Sequence, residues 1–156
     1  VREVLKTKTY IDACDINQKR TGKKISKQAW NIVPKIEEVD TFIRANPAAQ
    51  KKLRESHPEV CFTMLNGGVP MAHPKKAPMG FLGRLQLSQQ YDANAETWLR
   101  KIADEHPQKE VATDDVVDAM ILAITAAGGA RKLQTLPEKP EVDGQGLPME
   151  IVYRRS

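Results

Sequence analysis

The chain has 156 residues, of which 40% are hydrophobic and 28% charged, and its formal net charge at pH 7 is +4. This balance is typical of a globular protein and excludes the collagen-like, disordered and membrane classes. The longest apolar run, Ala119–Ile124, is much shorter than the roughly 20 residues that cross a bilayer, so no membrane partner is expected. The positive charge permits an anionic partner such as nucleic acid without requiring one.

The cysteines and the N-terminal residues give limited information about metal sites, disulfides and cellular location. Cys14 and Cys61 are too few for a disulfide framework and lack the CxxC spacing of a metal site. The simplest interpretation is two reduced thiols in a cytoplasmic protein. No segment combines a charged start, an apolar core and a cleavage site, so no signal peptide is predicted. The first residue is Val1 and not Met, which fits a trimmed tag, proteolysis or a fragment equally well.

The first third of the chain is predicted to be helical. Thr9 predicts the cap of a helix over Tyr10–Thr21, with Gly22 just after its end. Ser26 predicts the cap of a longer amphipathic helix, unless that helix starts near Pro34, a residue that would otherwise kink it. The apolar face of this helix recurs at spacings of three and four: Ala29, Ile32, Ile36, Val39 and Ile43.

The middle of the chain alternates short helices with breaks. Asn46-Pro47 ends the long helix and is suited to begin a short one. His57-Pro58-Glu59 opens an apolar helix that stops at Asn66-Gly67-Gly68. Three prolines mark Val69–Pro78 as a loop. Two further helices are predicted, over Phe81–Gln90 and Ala93–His106.

The C-terminal part contains the most apolar helix and the strand signals. Thr113 predicts the cap of a helix over Asp114–Ala127, which should be buried because it is apolar nearly all round. Pro137–Gly146 is rich in Pro, Gly and acids and is predicted to be a loop. Ile151-Val152-Tyr153 is the only clear strand signal, and a lone strand needs partners for its backbone groups. Trp30 and Trp98 are expected in the core.

The strongest chemical signal is the run of acids at the start of this last helix. Asp115 and Asp118 are three residues apart and share a helix face, close enough to hold a divalent metal through oxygen ligands. Acids in the first turn also complement the helix dipole, which alone explains Asp114 and Asp115. Asp118 lies beyond that turn among core residues, where an ionised carboxylate needs a partner or a cation. Metal binding and helix capping both stay open.

Two weaker signals accompany it. Glu55, His57 and Glu59 place two carboxylates and an imidazole within five residues, although a helix start at Pro58 explains the same pattern. Basic residues crowd one short segment and recur in the Pro-rich loop. Such clusters either contact phosphates or are merely solvated. They are Lys19, Arg20, Lys23, Lys24 and Lys27, and then Lys75 and Lys76.

Several segments, in order along nearly the whole chain, resemble a bacterial family of domains of unknown function, number 429, whose members are described as predicted RNase H-like nucleases. The most extensive has the sequence SKQAWNIVPKIEEVD. The segments that carry the resemblance are Ser26–Asp40, Glu55–Phe62, Leu65–Gly68, Lys75-Lys76, Asp114–Ala119 and Gly146–Tyr153.

The resemblance implies an α/β fold of the RNase H type, in which a mixed sheet and a C-terminal helix carry acids that bind two divalent metals, Mg²⁺ or Mn²⁺. One metal would activate water and the other would stabilise the leaving oxygen of a phosphodiester. The pattern Asp115-x-x-Asp118-Ala119 resembles that helix and the DxxDA of RuvC-type junction resolvases. The family also implies a short strand near Leu53–Ser56.

The resemblance implies specific site residues. Asp115 and Asp118 would be catalytic metal ligands, and Glu55 would be a nearby catalytic acid. The residues of secondary importance are Asp114, Glu59, His57 and Lys109. The basic clusters, independently of the resemblance, supply the candidate nucleic-acid contacts Lys23, Lys24, Lys75 and Lys76.

The family's first strand, which bears an Asp near a Gly, its hairpin and a later Ile-Asp-Ile-Pro-like strand have no counterpart here. We therefore expect residues 1–156 to be the C-terminal portion of a single RNase H-like domain, mostly helical with one or two short strands. Such a chain should be inactive alone and should associate with an N-terminal portion or a second copy. The alternatives are a non-catalytic RNase H-like domain that binds nucleic acid or protein, and a helical fragment whose acids only cap a helix.

Overall fold

The chain divides between Leu53 and Arg54 into two separately packed units. A computed structural model describes residues 2–156. Within that range the chain is mostly helical, and its strands form one two-stranded antiparallel sheet. No helix of the described residues is long and apolar enough to cross a membrane.

Local capping signals set the helices of the first unit. Thr9 Oγ1 accepts a hydrogen bond from the Asp12 N–H at 3.2 Å, and Gly22 ends the same helix with a φ of 75°. Ser26 Oγ accepts from the Ala29 N–H at 3.0 Å and begins the next helix. These predicted boundaries are confirmed. The helices are α1 (Arg2–Leu5), α2 (Tyr10–Thr21), α3 (Lys27–Ala45) and α4 (Pro47–Gln50).

The first unit has a small core. Pro34 lies inside α3, so this helix begins at Lys27 and not near the proline. The hydrophobic core of the unit is formed by Val4, Ala13 and Val33, and Trp30 packs against them as expected. Much of the apolar face of α3 stays exposed, because the unit buries little against it: Ile32, Ile36, Val39 and Phe42.

The second unit packs four helices around a larger core. Pro58 is the first residue of its first helix, and Asn66 follows the last, as predicted. The core is centred on Phe62 and Ile121, both fully buried. Trp98 is half exposed, so its predicted burial is wrong. The helices are α5 (Pro58–Leu65), α6 (Pro78–Tyr91), α7 (Ala95–Glu105) and α8 (Thr113–Ala127).

The sheet corrects the predicted loop over Pro137–Gly146. Most of that segment belongs to strand β1 (Leu133–Val142), which pairs with β2 (Pro148–Arg154). Regular pairing is interrupted between Leu136 and Glu141, where prolines lack the N–H that a ladder needs. The strand was not predicted because its prolines are typical of loops.

β2 finds its backbone partners within the chain. On one side it pairs with β1, and on the other Ser56 forms an isolated parallel bridge with Val152. The Val152 N–H donates to the Glu55 carbonyl at 2.7 Å, and Ser56 Oγ donates to the Val152 carbonyl at 2.7 Å. The strand implied near Leu53–Ser56 is therefore reduced to one bridge.

Candidate metal centre

The acidic residues of α8 occupy the first two turns of the helix. Ala112 is the N-cap, because its carbonyl accepts from the N–H groups of Asp115 and Val116 at 3.0 and 3.2 Å. The prediction that Thr113 caps the helix is wrong, since Thr113 is already its first residue. Asp114 and Asp115 therefore lie in the first turn, where carboxylates complement the helix dipole. Asp118 follows one turn later.

These three aspartates, which we call the acidic cluster, surround one lysine. Lys75 Nζ lies 2.7 Å from Oδ2 of Asp118 and donates a hydrogen bond to it. The same ammonium is 3.3 Å from Oδ2 of Asp114 and 3.6 Å from Oδ1 of Asp115. The carboxylates thus converge on a single positive charge, which three acids on one helix need if they are all ionised.

Asp118 is the least exposed member of the acidic cluster. Its side chain is 17% exposed, against 69% for Asp115. Its second oxygen, Oδ1, is buried and has no hydrogen-bond partner among the described residues. A buried carboxylate oxygen without a partner is costly, so this atom has capacity for a further donor or cation.

The electrostatics agree with this geometry. The hydrogen bond to Asp118 raises the pKa of the Lys75 ammonium above its ordinary value, and the contact with Asp114 adds to the rise. Partial burial acts in the opposite direction and is outweighed. Lys75 therefore stays charged throughout the physiological range.

Lys75 is delivered by the segment between α5 and α6, residues 66–77, which we call the Lys75 loop. Arg84 anchors this loop from α6: its Nη1 donates to the carbonyls of His73 and Gly80, each at 2.9 Å. Pro74 packs so closely on α6 that a Cβ at Gly80 would lie 1.9 Å from the Pro74 carbonyl oxygen. The loop is thus fixed next to the residue that reaches the acidic cluster.

The second acidic signal of the sequence has a different role in the structure. Glu59 accepts hydrogen bonds from Nε and Nη2 of Arg84, at 2.8 to 3.2 Å, and so belongs to the loop anchor. Glu55 is exposed beside β2, and its backbone carbonyl pairs with Val152. His57 is the exposed N-cap of α5 and makes no side-chain capping bond.

The remaining candidate residues are exposed and basic. Lys109 lies in the turn between α7 and α8, and Lys76 points to solvent although its neighbour Lys75 does not. The structure therefore separates the two lysines that the sequence had grouped as phosphate contacts. Lys23 and Lys24 are exposed between α2 and α3 in the first unit.

Sequence reasoning missed two partnerships. Nothing in the local pattern indicates that Lys75 reaches Asp118, because the two are 43 residues apart. Arg84 is almost fully buried on α6, and a lone charged residue among Leu85, Leu87 and Ser88 was the only signal in the sequence.

The donor set of the acidic cluster suits a hard divalent cation, since Mg²⁺ and Mn²⁺ prefer oxygen ligands. The partnerless Oδ1 of Asp118 fits the same ion. The number of ligands is incomplete: among residues 2–156 no group of three or more His, Cys, Asp or Glu side chains is arranged to hold a metal. In particular, Glu55 does not join Asp115 and Asp118 in such a group.

Comparisons with known proteins give a family. No curated protein matches the chain, and no solved structure does. A family profile matches residues 1–142, which cover the first unit and, in the second unit, α5 to α8 with the acidic cluster and strand β1. The resemblance to domains of unknown function number 429 is thereby confirmed, and the chain belongs to the family described as "Protein of unknown function (DUF429)".

Proposed function

We propose that this chain is part of a metal-dependent RNase H-like nuclease, a phosphodiester hydrolase in which α8 supplies acids to the active site. The observation that carries the proposal is the convergence of three α8 carboxylates on one cation, with Asp118 Oδ1 left without a partner. A helix that concentrates negative charge at a partly buried point needs a cation for its function or for its stability.

In this proposal Asp118 and Asp115 hold a divalent ion, Mg²⁺ or Mn²⁺. When bound, such an ion supplies a water of lowered pKa and positive charge for a phosphate oxygen. Asp118 is held in place by its buried position, while Asp115 faces solvent, where a substrate phosphate can approach. Asp114, closest to the start of α8, keeps Lys75 near the site.

The remaining ligands belong to the proposal as well. Because the described residues hold no group of three metal-ligating side chains, water, a phosphate oxygen or an acid from elsewhere completes the site. Glu55 stays a candidate for that acid, since its segment borders β2 and its carboxylate is exposed. A further part of the protein or a second copy is the other source, and the exposed apolar face of α3 offers a surface for such association.

The proposed substrate is nucleic acid. Its negatively charged backbone would contact exposed lysines, and Lys23, Lys24 and Lys76 are the candidates that the described structure leaves in solvent. A cytoplasmic location is part of the same proposal, because Cys14 and Cys61 are both free thiols.

The test is the effect of Mn²⁺ and Mg²⁺ on the thermal midpoint of unfolding. An ion that binds the folded chain stabilises it by about 2.7 kcal/mol at a concentration of a hundred times its Kd. We expect this rise for the native chain and for the control Asp104→Asn, an exposed acid on α7, and none for Asp118→Asn. An equal rise in all three would refute the metal assignment.

A second candidate function is favoured by one observation. Lys75 already provides a positive charge to the acidic cluster, as expected of a non-catalytic RNase H-like domain that binds nucleic acid or a protein. The two candidates differ in one assay: with Mn²⁺ and a labelled oligonucleotide, a nuclease yields shorter products, whereas a binding domain yields only a salt-dependent complex.

A further inference from the structure

We propose that Lys75 is a built-in competitor for the metal: its ammonium occupies the acidic cluster, and a divalent ion binds by displacing it and releasing the adjoining part of the Lys75 loop. This inference rests on the proposed function, because it concerns the same carboxylates. It adds a regulatory step, in which the loop and the ion exclude each other.

The exclusion follows from distances. Lys75 Nζ is 2.7 Å from Oδ2 of Asp118, and a Mg²⁺ ion ligated by that oxygen would lie about 2.1 Å from it. The two cations would then be at most about 4.8 Å apart, with little water between them. Repulsion at that range in a partly buried site expels the side chain with the lower charge.

The charge of the acidic cluster favours replacement of Lys75 by a divalent ion. Three carboxylates and one ammonium leave a formal charge of −2, so the lysine neutralises only part of the acidic cluster. It also leaves Asp118 Oδ1 without a partner. A divalent ion supplies twice the charge and has room for additional oxygen ligands. Lys75 therefore holds the carboxylates together until an ion of higher charge replaces it.

The loop is built so that displacement stays local. Arg84 fixes His73, and Pro74 packs on Gly80, so these residues remain on α6 when Lys75 leaves. Lys75 lies in a turn closed by one hydrogen bond, from the Ala77 N–H to the Pro74 carbonyl at 3.0 Å. Ala77 itself is fixed as the N-cap of α6, because its carbonyl accepts from the Phe81 N–H at 2.9 Å. Release of Lys75 should therefore loosen this turn while the anchor at Arg84 persists.

The experiment measures Mn²⁺ binding by calorimetry for the native chain, Lys75→Met and Lys76→Met. Methionine keeps the length of the stem and removes the charge. Because a nearby like charge is lost, Lys75→Met should bind Mn²⁺ about tenfold more tightly. Lys76→Met removes the same charge from the neighbouring exposed position, and its affinity should change less than about threefold.

The outcomes separate the two proposals. If the native chain binds Mn²⁺ and Lys75→Met binds it equally or less tightly, the competition is refuted and the metal site stands. If no variant binds Mn²⁺, the proposed function falls and the competition falls with it. A measurement on the native chain guards against misfolding of the variant: saturating Mg²⁺ should accelerate hydrogen exchange at the Ala77 N–H several-fold, and unchanged or slower exchange would contradict the release of the loop.

Discussion

Two cationic side chains tie the Lys75 loop to its neighbours, and they differ in how completely they are satisfied. Arg84 makes five hydrogen bonds, with both carboxylate oxygens of Glu59 and with the carbonyls of His73 and Gly80. Lys75 has one short hydrogen bond and two longer contacts, and it leaves an oxygen of Asp118 unpaired. The first contact therefore resembles a permanent part of the fold, and the second a contact that can be exchanged.

The difference teaches how a buried charge can be recognised as structural or functional. Arg84 also lies over the ring of Phe62, 5.4 Å from its centroid, so its charge is integrated into the core. The charges around Lys75 are gathered at the N-terminus of α8, where solvent reaches Asp115. A satisfied network stabilises one conformation, whereas a network with spare acceptors favours a change of partner.

The largest effect is expected when the Arg84 anchor is removed. Arg84→Met removes the side-chain donor to Glu59 and to the carbonyls of His73 and Gly80, and should lower the free energy of unfolding by about 3 kcal/mol. The control is Arg100→Met, whose exposed pair with Glu96 should contribute almost nothing to the free energy of unfolding. Urea unfolding measures both, and equal losses would show that Arg84 is not a structural anchor.

A smaller effect is expected from crowding the loop against α6. In Gly80→Ala the new methyl would lie 1.9 Å from the Pro74 carbonyl oxygen, so the loop must shift, at a cost of about 1–3 kcal/mol. Gly83→Ala, on the same helix, meets only the end of Met71 at 3.4 Å and should be neutral or stabilising by up to about 1 kcal/mol.

The same pair of variants sharpens the comparison between the two contacts. If the shifted loop also carries Lys75 away from the acidic cluster, Gly80→Ala should bind Mn²⁺ more tightly than Gly83→Ala does in the same calorimetric assay. Equal unfolding free energies for the two variants would contradict the close packing of the loop on α6.

The smallest effect is expected for the exposed ion pair of Arg100 and Glu96 on α7, which is the most solvated of the contacts compared. The hydrogen bond from Arg100, and then its charge, lowers the pKa of Glu96 below its ordinary value of 4.5. Because the folded-state pKa is the lower one, this pair stabilises the fold above about pH 4.5 and loses its contribution as the pH falls through the folded-state pKa. In Glu96→Gln, the free energy of unfolding should therefore fall less steeply as the pH is lowered below about 4.5. An equally steep fall in the native chain and the variant would contradict a stabilising role for this ion pair.

Much of the helical fold was predictable because its signals are local. The side chains of Thr9 and Ser26 accept hydrogen bonds from the N–H groups three residues later. Helix α5 begins at Pro58 and ends just before Asn66, as expected for these residue types. Strand β1 was not predictable from composition, since its prolines are tolerated only where the ladder with β2 is interrupted.

The candidate site was predictable only in part. The spacing of Asp115 and Asp118 indicates a shared face, because that relation depends on the helix period alone. Their partner Lys75 comes from a loop 43 residues before Asp118, and its position depends on tertiary packing through Arg84 and Gly80. No periodicity in the chain encodes such a contact, so the lysine was grouped with its exposed neighbour.

The bridge between Ser56 and Val152 has a consequence for biosynthesis. The backbone of residues 55 and 56 obtains its partners from β2, almost a hundred residues later in the chain. The ribosome must therefore synthesise α5 to α8 and then β2 before residues 55 and 56 can form these hydrogen bonds. Until β2 is synthesised, the backbone partners of residues 55 and 56 and the buried ring of Tyr153 are missing, so the second unit should complete its folding only after this strand is made.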